Sequence, residues 1–168
     1  LGIELRDLLL FYGDHAGNES FRDLVAEQSG GEAGGVSRDD VLVTAGAAQA
    51  LFIIATSLLE KGDHLVVIRP NYATNIETPR AIEADISFLD LTFEDGFRID
   101  PEKLMALVTP RTKYVSITLP HNPTGVLMGA ADLRNLVGRV ESAGCRLLVD
   151  ETYREMTFGE PLPVAATL

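Results

Sequence analysis

Four short stretches place polar or small residues directly after apolar runs, which is where chemistry is cheapest to build. Asp150 closes the run CRLLV (145–149), and Tyr153 follows three residues later. Asn122 stands in TLPHNPTG (118–125), between Pro120 and Pro123 and just before Gly125. Tyr72 follows Pro70 and Asn71 after HLVVI (64–68), and Gly46, Ala47, Ala48 and Gln49 follow VLVT (41–44). A carboxylate at the end of a buried strand is costly unless a cation meets it. An asparagine held between prolines keeps its amide in one direction, as donor or acceptor. A tyrosine beyond a turn offers a flat face for stacking. Small residues at the start of a helix let an anion approach exposed backbone N–H groups. Each feature alone has a plainer explanation: a helix cap for Asp150, a rigid turn for Asn122, a rim residue for Tyr72, close helix-on-sheet packing for the small residues. His121, beside Asn122, reads as a solvent-facing loop histidine.

The elements that must carry these residues alternate. A helix is expected over 18–28, opening after Gly17 with an acidic first turn and ending in the glycine-rich 29–37. VLVT (41–44) reads as a buried strand, followed through Gly46 by a buried helix that ends near Gly62. HLVVI (64–68), DISFLDL (85–91), KYVSITL (113–119) and CRLLV (145–149) read as further strands. Helices are expected at 73–82, from Pro101 to about Leu107 behind an Asp100 cap, and at 130–142. Near-continuous Val, Ile and Leu in strands alternating with helices implies an α/β fold with three layers, α/β/α, and a mainly parallel sheet covered on both faces. In such sheets ligands collect beyond the carboxyl ends of the strands, where the four stretches lie.

Composition narrows the classes. The 168 residues are enough for one domain with a substantial core, and the formal net charge of −11 argues against a nucleic-acid or anionic-membrane partner. The uncharged stretch 41–59 has the length of a membrane span, but Thr44, Gly46, Gln49, Thr56 and Ser57 interrupt it, so no span is expected. No basic region precedes the apolar residues of LGIELRDLLL (1–10), so no secretory signal is expected. The single Cys145 excludes an internal disulfide and suits a reducing cytoplasm. It heads an apolar run, where a buried, inert thiol is expected. The chain begins at Leu1 rather than Met and stops in an apolar run, and the expectation is a portion of a longer protein.

Taken together, a buried carboxylate needing a cation, a flat platform, a rigid amide, a phenol and a phosphate cradle suit a planar, phosphorylated heteroaromatic with a ring N–H⁺. Pyridoxal 5′-phosphate has those features. On these motifs the chain resembles the large domain of the fold-type I pyridoxal-phosphate enzymes, and most closely their class I/II aminotransferases. The likeness runs from YGDHAGNESFRDLVAEQ (12–28) to DETY (150–153), and its most specific part is Asn-Pro-Thr-Gly followed by Asp-x-x-Tyr. The resemblance implies that Asp150 pairs with the pyridine nitrogen, that Asn122 and Tyr153 hydrogen-bond the ring oxygen, and that Tyr72 stacks on the ring. It implies phosphate contacts from Ala47 and Ala48, and from Tyr12 to the site of a neighbouring subunit, hence a homodimer. Residues 1–168 would then be the N-terminal portion of the cofactor-binding large domain, the rest of that domain and a C-terminal small domain lying outside this chain.

Two departures from the family pattern stand out. GAAQ (46–49) has no hydroxyl residue for the phosphate, and none of Lys61, Lys103 and Lys113 matches the family's Schiff-base lysine. That lysine and the substrate-binding arginine are expected beyond residue 168, so no catalytic residue of that kind lies in this chain. The function implied is pyridoxal-phosphate-dependent transfer of an amino group between an amino acid and a 2-oxo acid through a Schiff base, in the cytoplasm. Two alternatives share the visible residues: a carbon–sulfur β-lyase, and a cofactor-binding sensing module of a transcription regulator. A stand-alone interaction protein with a degenerate site is disfavoured by the apolar C-terminus.

Overall fold

The structure, a computed structural model, describes residues 4, 6, 10–30, 34–158 and 163–168, and divides into two units, Leu1–Thr44 and Ala45–Leu168. In the first, helix α1 (Glu19–Gln28) starts where the Asn18 side chain accepts from the Phe21 amide at 3.1 Å. Its Arg22 is only 6% exposed and donates to the carbonyls of Val41 and Arg38 at 2.9 and 2.8 Å. These bonds tie α1 to a single 3₁₀ turn, Arg38–Asp40, which Ser37 and Asp40 close reciprocally. VLVT (41–44) is not a strand, contrary to expectation. It is extended at Val41, and the Val43 amide donates to Ala16, but among the described residues it joins no ladder and none of its residues is buried. Apolar residues in an extended segment become a strand only where a neighbouring strand supplies the hydrogen bonds.

The second unit is built on four strands, β1 (His64–Arg69), β2 (Asp85–Asp90), β3 (Thr112–Thr118) and β4 (Arg146–Asp150). They are parallel throughout, in the order β2-β1-β3-β4. Helix α2 (Ala47–Leu58) precedes β1, and α3 (Thr74–Ala81), α4 (Pro101–Met105) and α5 (Ala130–Ser142) run between successive strands. Side-chain alternation along the strands sorts the core into two layers. Leu65, Val67 and Tyr114 pack with Ala55 and Leu59 at α2 and with Ile76 of α3. Val66, Ile68, Val115 and Ile117 pack with Leu104 of α4 and with Leu133, Leu136 and Val140 of α5. Leu65, Val66, Val67 and Ile68 are fully buried in succession, each contributing about 1.5–3 kcal/mol of burial. A strand covered on both faces has no polar alternation, which is why HLVVI reads as a continuous apolar run. The three-layer α/β/α expectation holds.

Two element expectations need correction. α2 is not buried all round: Leu51 and Ala55 are, whereas Phe52 is 53% exposed. No helix among the described residues is long and apolar enough to cross a membrane. α4 stops at Met105, two residues short, and the chain tightens into a turn over 106–107.

Cys145 is buried as expected, and burial pushes its thiol pKa up, away from thiolate chemistry.

Candidate functional site

The strand order turns back at β1. β2 lies on one side of it, while β3 and β4 lie on the other. Ligands in open parallel sheets bind beyond the carboxyl ends of the strands near such a reversal. A cavity of about 230 Å³ opens there, lined by residues from the start of α2, the turn after β1, the end of β3 and its following turn, and the end of β4. Six of the seven sequence-selected residues line it: Ala47, Ala48, Tyr72, Asn122, Asp150 and Tyr153. The seventh, Tyr12, belongs to the first unit, where it is 91% exposed and meets Phe11 edge-on at 5.8 Å between ring centres.

Each residue is placed by a local cause. α2 opens at Gly46, whose φ of +90° suits glycine and whose missing side chain leaves no cap for the helix. Gln49 reaches back instead and accepts from the Ala45 amide at 2.6 Å, which fixes the turn before the helix. The first amides of α2, at Ala47 and Ala48, therefore stand at the positive end of the helix dipole with no side-chain partner among the described residues.

Asp150 is the last residue of β4 and half-buried. Its Oδ1 accepts from both the amide and the hydroxyl of Thr152, at 3.0 and 2.6 Å. Its Oδ2 has no hydrogen-bond or ion-pair partner among the described residues. The plainer expectation of a helix-capping aspartate does not hold, since one oxygen closes a turn at Thr152, it caps no helix among the described residues, and the other oxygen stays open. Tyr153 does not follow on an α-helical turn: residues 152–153 form a turn, and a 3₁₀ turn, Arg154–Met156, comes after.

Tyr72 is half-exposed, and its turn is pinned from behind. Its amide donates to Asn71 Oδ1 at 2.7 Å, Asn75 Nδ2 donates to the same oxygen at 3.2 Å, and Asn75 also bonds Ser116 in β3 at 2.8 Å. Asn122 is half-buried, and its side-chain amide makes no hydrogen bond among the described residues.

His121 is not solvent-facing. It is 2% exposed, with Nε2 at 2.9 Å from the Pro70 carbonyl and Nδ1 at 2.7 Å from Thr124 Oγ1. Two partners satisfy both ring nitrogens, so burial costs little, and desolvation moves its pKa down.

Three lining residues escaped the sequence reading: Thr118, Thr152 and Leu51. Thr118 is a polar residue at the carboxyl end of an apolar strand, the same signal that singled out Asp150. Thr152 sits two residues after an aspartate, where a side chain–backbone turn is common. Leu51 lies one helical turn beyond Ala47 and carries no chemical signal.

The three lysines do not reach the cavity. Lys61, Lys103 and Lys113 are 74, 60 and 45% exposed and pair with Glu83, Asp95 and Asp63.

Comparison with known proteins agrees with this architecture. The family described as aminotransferase class I and II matches residues 4–168. The chain is 32% identical over 148 residues to the arginine–pyruvate transaminase of Pseudomonas aeruginosa, covering 88% of this chain and 38% of that protein. It is 30% identical to the aspartate/prephenate aminotransferase of Thermus thermophilus over 148 residues, with the same coverage of 88 and 38%. Among solved structures, a PLP-dependent aminotransferase from Streptococcus suis superposes with a TM-score of 0.86 at 32% identity, covering 97% of this chain and 42% of that one. The chain thus spans about two fifths of the length of the relatives it matches.

Proposed function

The chain belongs to the class I and II aminotransferases, whose cofactor is pyridoxal 5′-phosphate, and from that premise we propose that it is the first part of the cofactor-binding domain of an enzyme moving an amino group from an amino acid to a 2-oxo acid. The observation that carries the reading is Asp150: a half-buried carboxylate in the cavity wall, one oxygen held by Thr152 and the other unpartnered among the described residues. Such a group wants a cation, and a protonated pyridine nitrogen is one.

The residues present fit the cofactor. The start of α2 offers uncapped amides to a phosphate, Asn122 an unengaged amide and Tyr153 a phenol to a ring oxygen, and Tyr72 an aromatic face to the ring. When bound, pyridoxal phosphate supplies an electron sink for negative charge developing at the α-carbon of an amino acid. Asp150 would hold the proton on the ring nitrogen, Tyr72 would orient the ring plane, and Ala47 and Ala48 would anchor the phosphate through backbone amides. The phosphate turn has no hydroxyl, so this anchoring leans on the helix dipole. The lysine that carries the cofactor and moves the substrate proton is assigned to sequence beyond residue 168, as is the arginine for the substrate carboxylate. The exposed, paired Lys61, Lys103 and Lys113 support that assignment.

The relatives are named as aminotransferases, which favours amino transfer over β-elimination or a sensing role. The reading extends to a homodimer in which Tyr12 serves the neighbouring subunit's site, and to a cytoplasmic protein, the latter supported by the single buried Cys145.

The test uses the full polypeptide. Borohydride reduction in the presence of pyridoxal phosphate should fix a pyridoxyl group on a lysine beyond residue 168, and an amino-donor screen should yield 2-oxo acid. No adduct, or an adduct on Lys61, Lys103 or Lys113, would overturn the assignment. An adduct with elimination products but no amino transfer would retain the cofactor and refute the reaction.

A further inference from the structure

We propose that His121 is a positioning residue for the cofactor site, clasping the turn that carries Asn122 to the turn that carries Tyr72. The inference rests on the cofactor reading above and adds a component to it. Asn122 is the next residue in the chain after His121, and Tyr72 lies two residues after Pro70, so the imidazole joins the bases of two cavity walls.

The hydrogen-bond chemistry fixes the state of the ring. Pro70 contributes only a carbonyl, an acceptor, so Nε2 at 2.9 Å must carry the proton and donate. In a neutral ring Nδ1 is then the acceptor, and the Thr124 hydroxyl at 2.7 Å donates to it. Thr124 Oγ1 in turn accepts from the Val126 amide at 3.4 Å, which closes the turn on itself. The His121 amide donates to the Val126 carbonyl at 2.9 Å, and the Gly125 amide to the His121 carbonyl at 2.7 Å. The turn behind Asn122 is therefore self-braced, and the imidazole is, among the described residues, its one side-chain bond across to the turn after β1.

That second turn has its own anchor through Asn71, Asn75 and Ser116 of β3. Two independent ties hold Tyr72 in register with Asn122, one beneath the turn and one at its start. With both nitrogens engaged and only 2% of the residue exposed, His121 is not placed to exchange protons with a substrate. Its contribution is geometric, and loss of such support loosens a site by displacing first-contact groups.

The full polypeptide with pyridoxal phosphate as the probe gives the test. His121→Leu removes both bonds, while His121→Gln places an amide nitrogen near the position of Nε2 and keeps the bond to Pro70. His64→Leu is the control for buried-histidine loss: His64 is 4% exposed, bonds Thr112 and Ser87 at 2.7 and 2.9 Å, and lies at the opposite end of β1 from the cavity. Both leucine variants should lower the melting temperature. Only His121→Leu should weaken cofactor affinity, about tenfold, and shrink the cofactor's induced circular dichroism. His121→Gln should return affinity to within about twofold of the parent. Equal affinity and dichroism in His121→Leu, or the same loss in His64→Leu, would overturn the proposal.

Should His121→Leu not fold, ¹⁵N imidazole shifts of the unaltered protein decide, since the clasp requires a proton on Nε2. A neutral ring protonated at Nδ1 alone sinks it. Unaltered protein that leaves the cofactor's absorption unshifted refutes the cofactor reading, and His121 with it as a cofactor-positioning group, while the imidazole shifts report separately on the clasp.

Discussion

Thr118 and Asp150 are the last register pair of β3 and β4, and both line the cavity beyond the strand ends. The pairing places a 3% exposed threonine beside a half-buried carboxylate, with the Leu119 amide donating to the Asp150 carbonyl at 2.9 Å. The backbone of Asp150 is therefore locked into the sheet, and only its side chain remains to be oriented.

That lock makes Asp150→Asn a clean variant. Asparagine keeps the volume and an oxygen that accepts from Thr152, but has no charge to hold a proton on a ring nitrogen. In the full polypeptide the rate of 2-oxo acid formation should fall by on the order of a hundredfold or more, with far-ultraviolet circular dichroism unchanged. Turnover within a few fold of the parent would remove Asp150 from its role.

Thr152→Val tests the orientation itself. The hydroxyl bond to Oδ1 at 2.6 Å is lost while the amide bond at 3.0 Å stays. Removing one bond to a charged group should cost roughly 1 kcal/mol of stability and weaken cofactor binding several-fold. Denaturant titration and cofactor titration read the two effects separately, and a variant unchanged in both would show that Thr152 does not steer the carboxylate.

Gly17 carries a prediction confined to the first unit. Its φ is +108°, and an added Cβ would clash with Val43 Cγ2 and Cβ. Both the backbone conformation and the contact forbid a side chain, so Gly17→Ala should destabilise by about 2 kcal/mol or more. A denaturation midpoint within error of the parent would mean that the Gly17–Val43 contact is not held in solution.

The pH dependence of stability has a histidine component. Burial, then the charge of Arg111, lower the pKa of His64 against a smaller opposing pull from Asp85. Burial lowers that of His121 against the Pro70 hydrogen bond. Between these depressed values and the unfolded value near 6.5, the unfolded chain binds more protons than the fold. Stability therefore rises with pH through that window and falls as pH drops below about 6.5. Urea midpoints taken from about pH 7 down to about pH 5 should decline, and the decline should be shallower in His64→Gln/His121→Gln. An identical slope in that double variant would exclude both rings as its source.

Much of the site was legible because its residues break a local pattern. Asp150 interrupts an apolar run, and Asn122 stands in a proline turn, so both announce themselves within a few residues of sequence. The alternation of helices and strands was legible for the same reason, since each fully covered strand is an unbroken apolar run. What stayed hidden depends on partners far along the chain. His121 is buried by a carbonyl 51 residues earlier, so no local signal separates it from an exposed loop histidine. VLVT has strand composition but, among the described residues, no neighbour to pair with, and pairing is not written in a single segment.

Glu151 shows how far apart two neighbouring carboxylates can be. Asp150 turns to the cavity and Thr152, while Glu151 accepts from the Ala165 amide at 3.0 Å and packs at the 163–168 segment. Burial raises its pKa above the ordinary 4.5, opposed by that amide and by the charge of Arg154. Between 4.5 and the raised folded value the fold binds more protons than the unfolded chain, so stability falls as pH rises through the window. Above its folded value the carboxylate is ionised at a cost. Glu151→Gln removes the charge and keeps an oxygen for the Ala165 amide, and should stabilise by up to about 1 kcal/mol at neutral pH. The gain should shrink as pH falls through the folded value and vanish below about 4.5, where the native carboxyl is already neutral. Urea midpoints for parent and variant across that range check the sign, and a variant less stable at neutral pH would show that the ionised carboxylate is held by its partners rather than strained by burial.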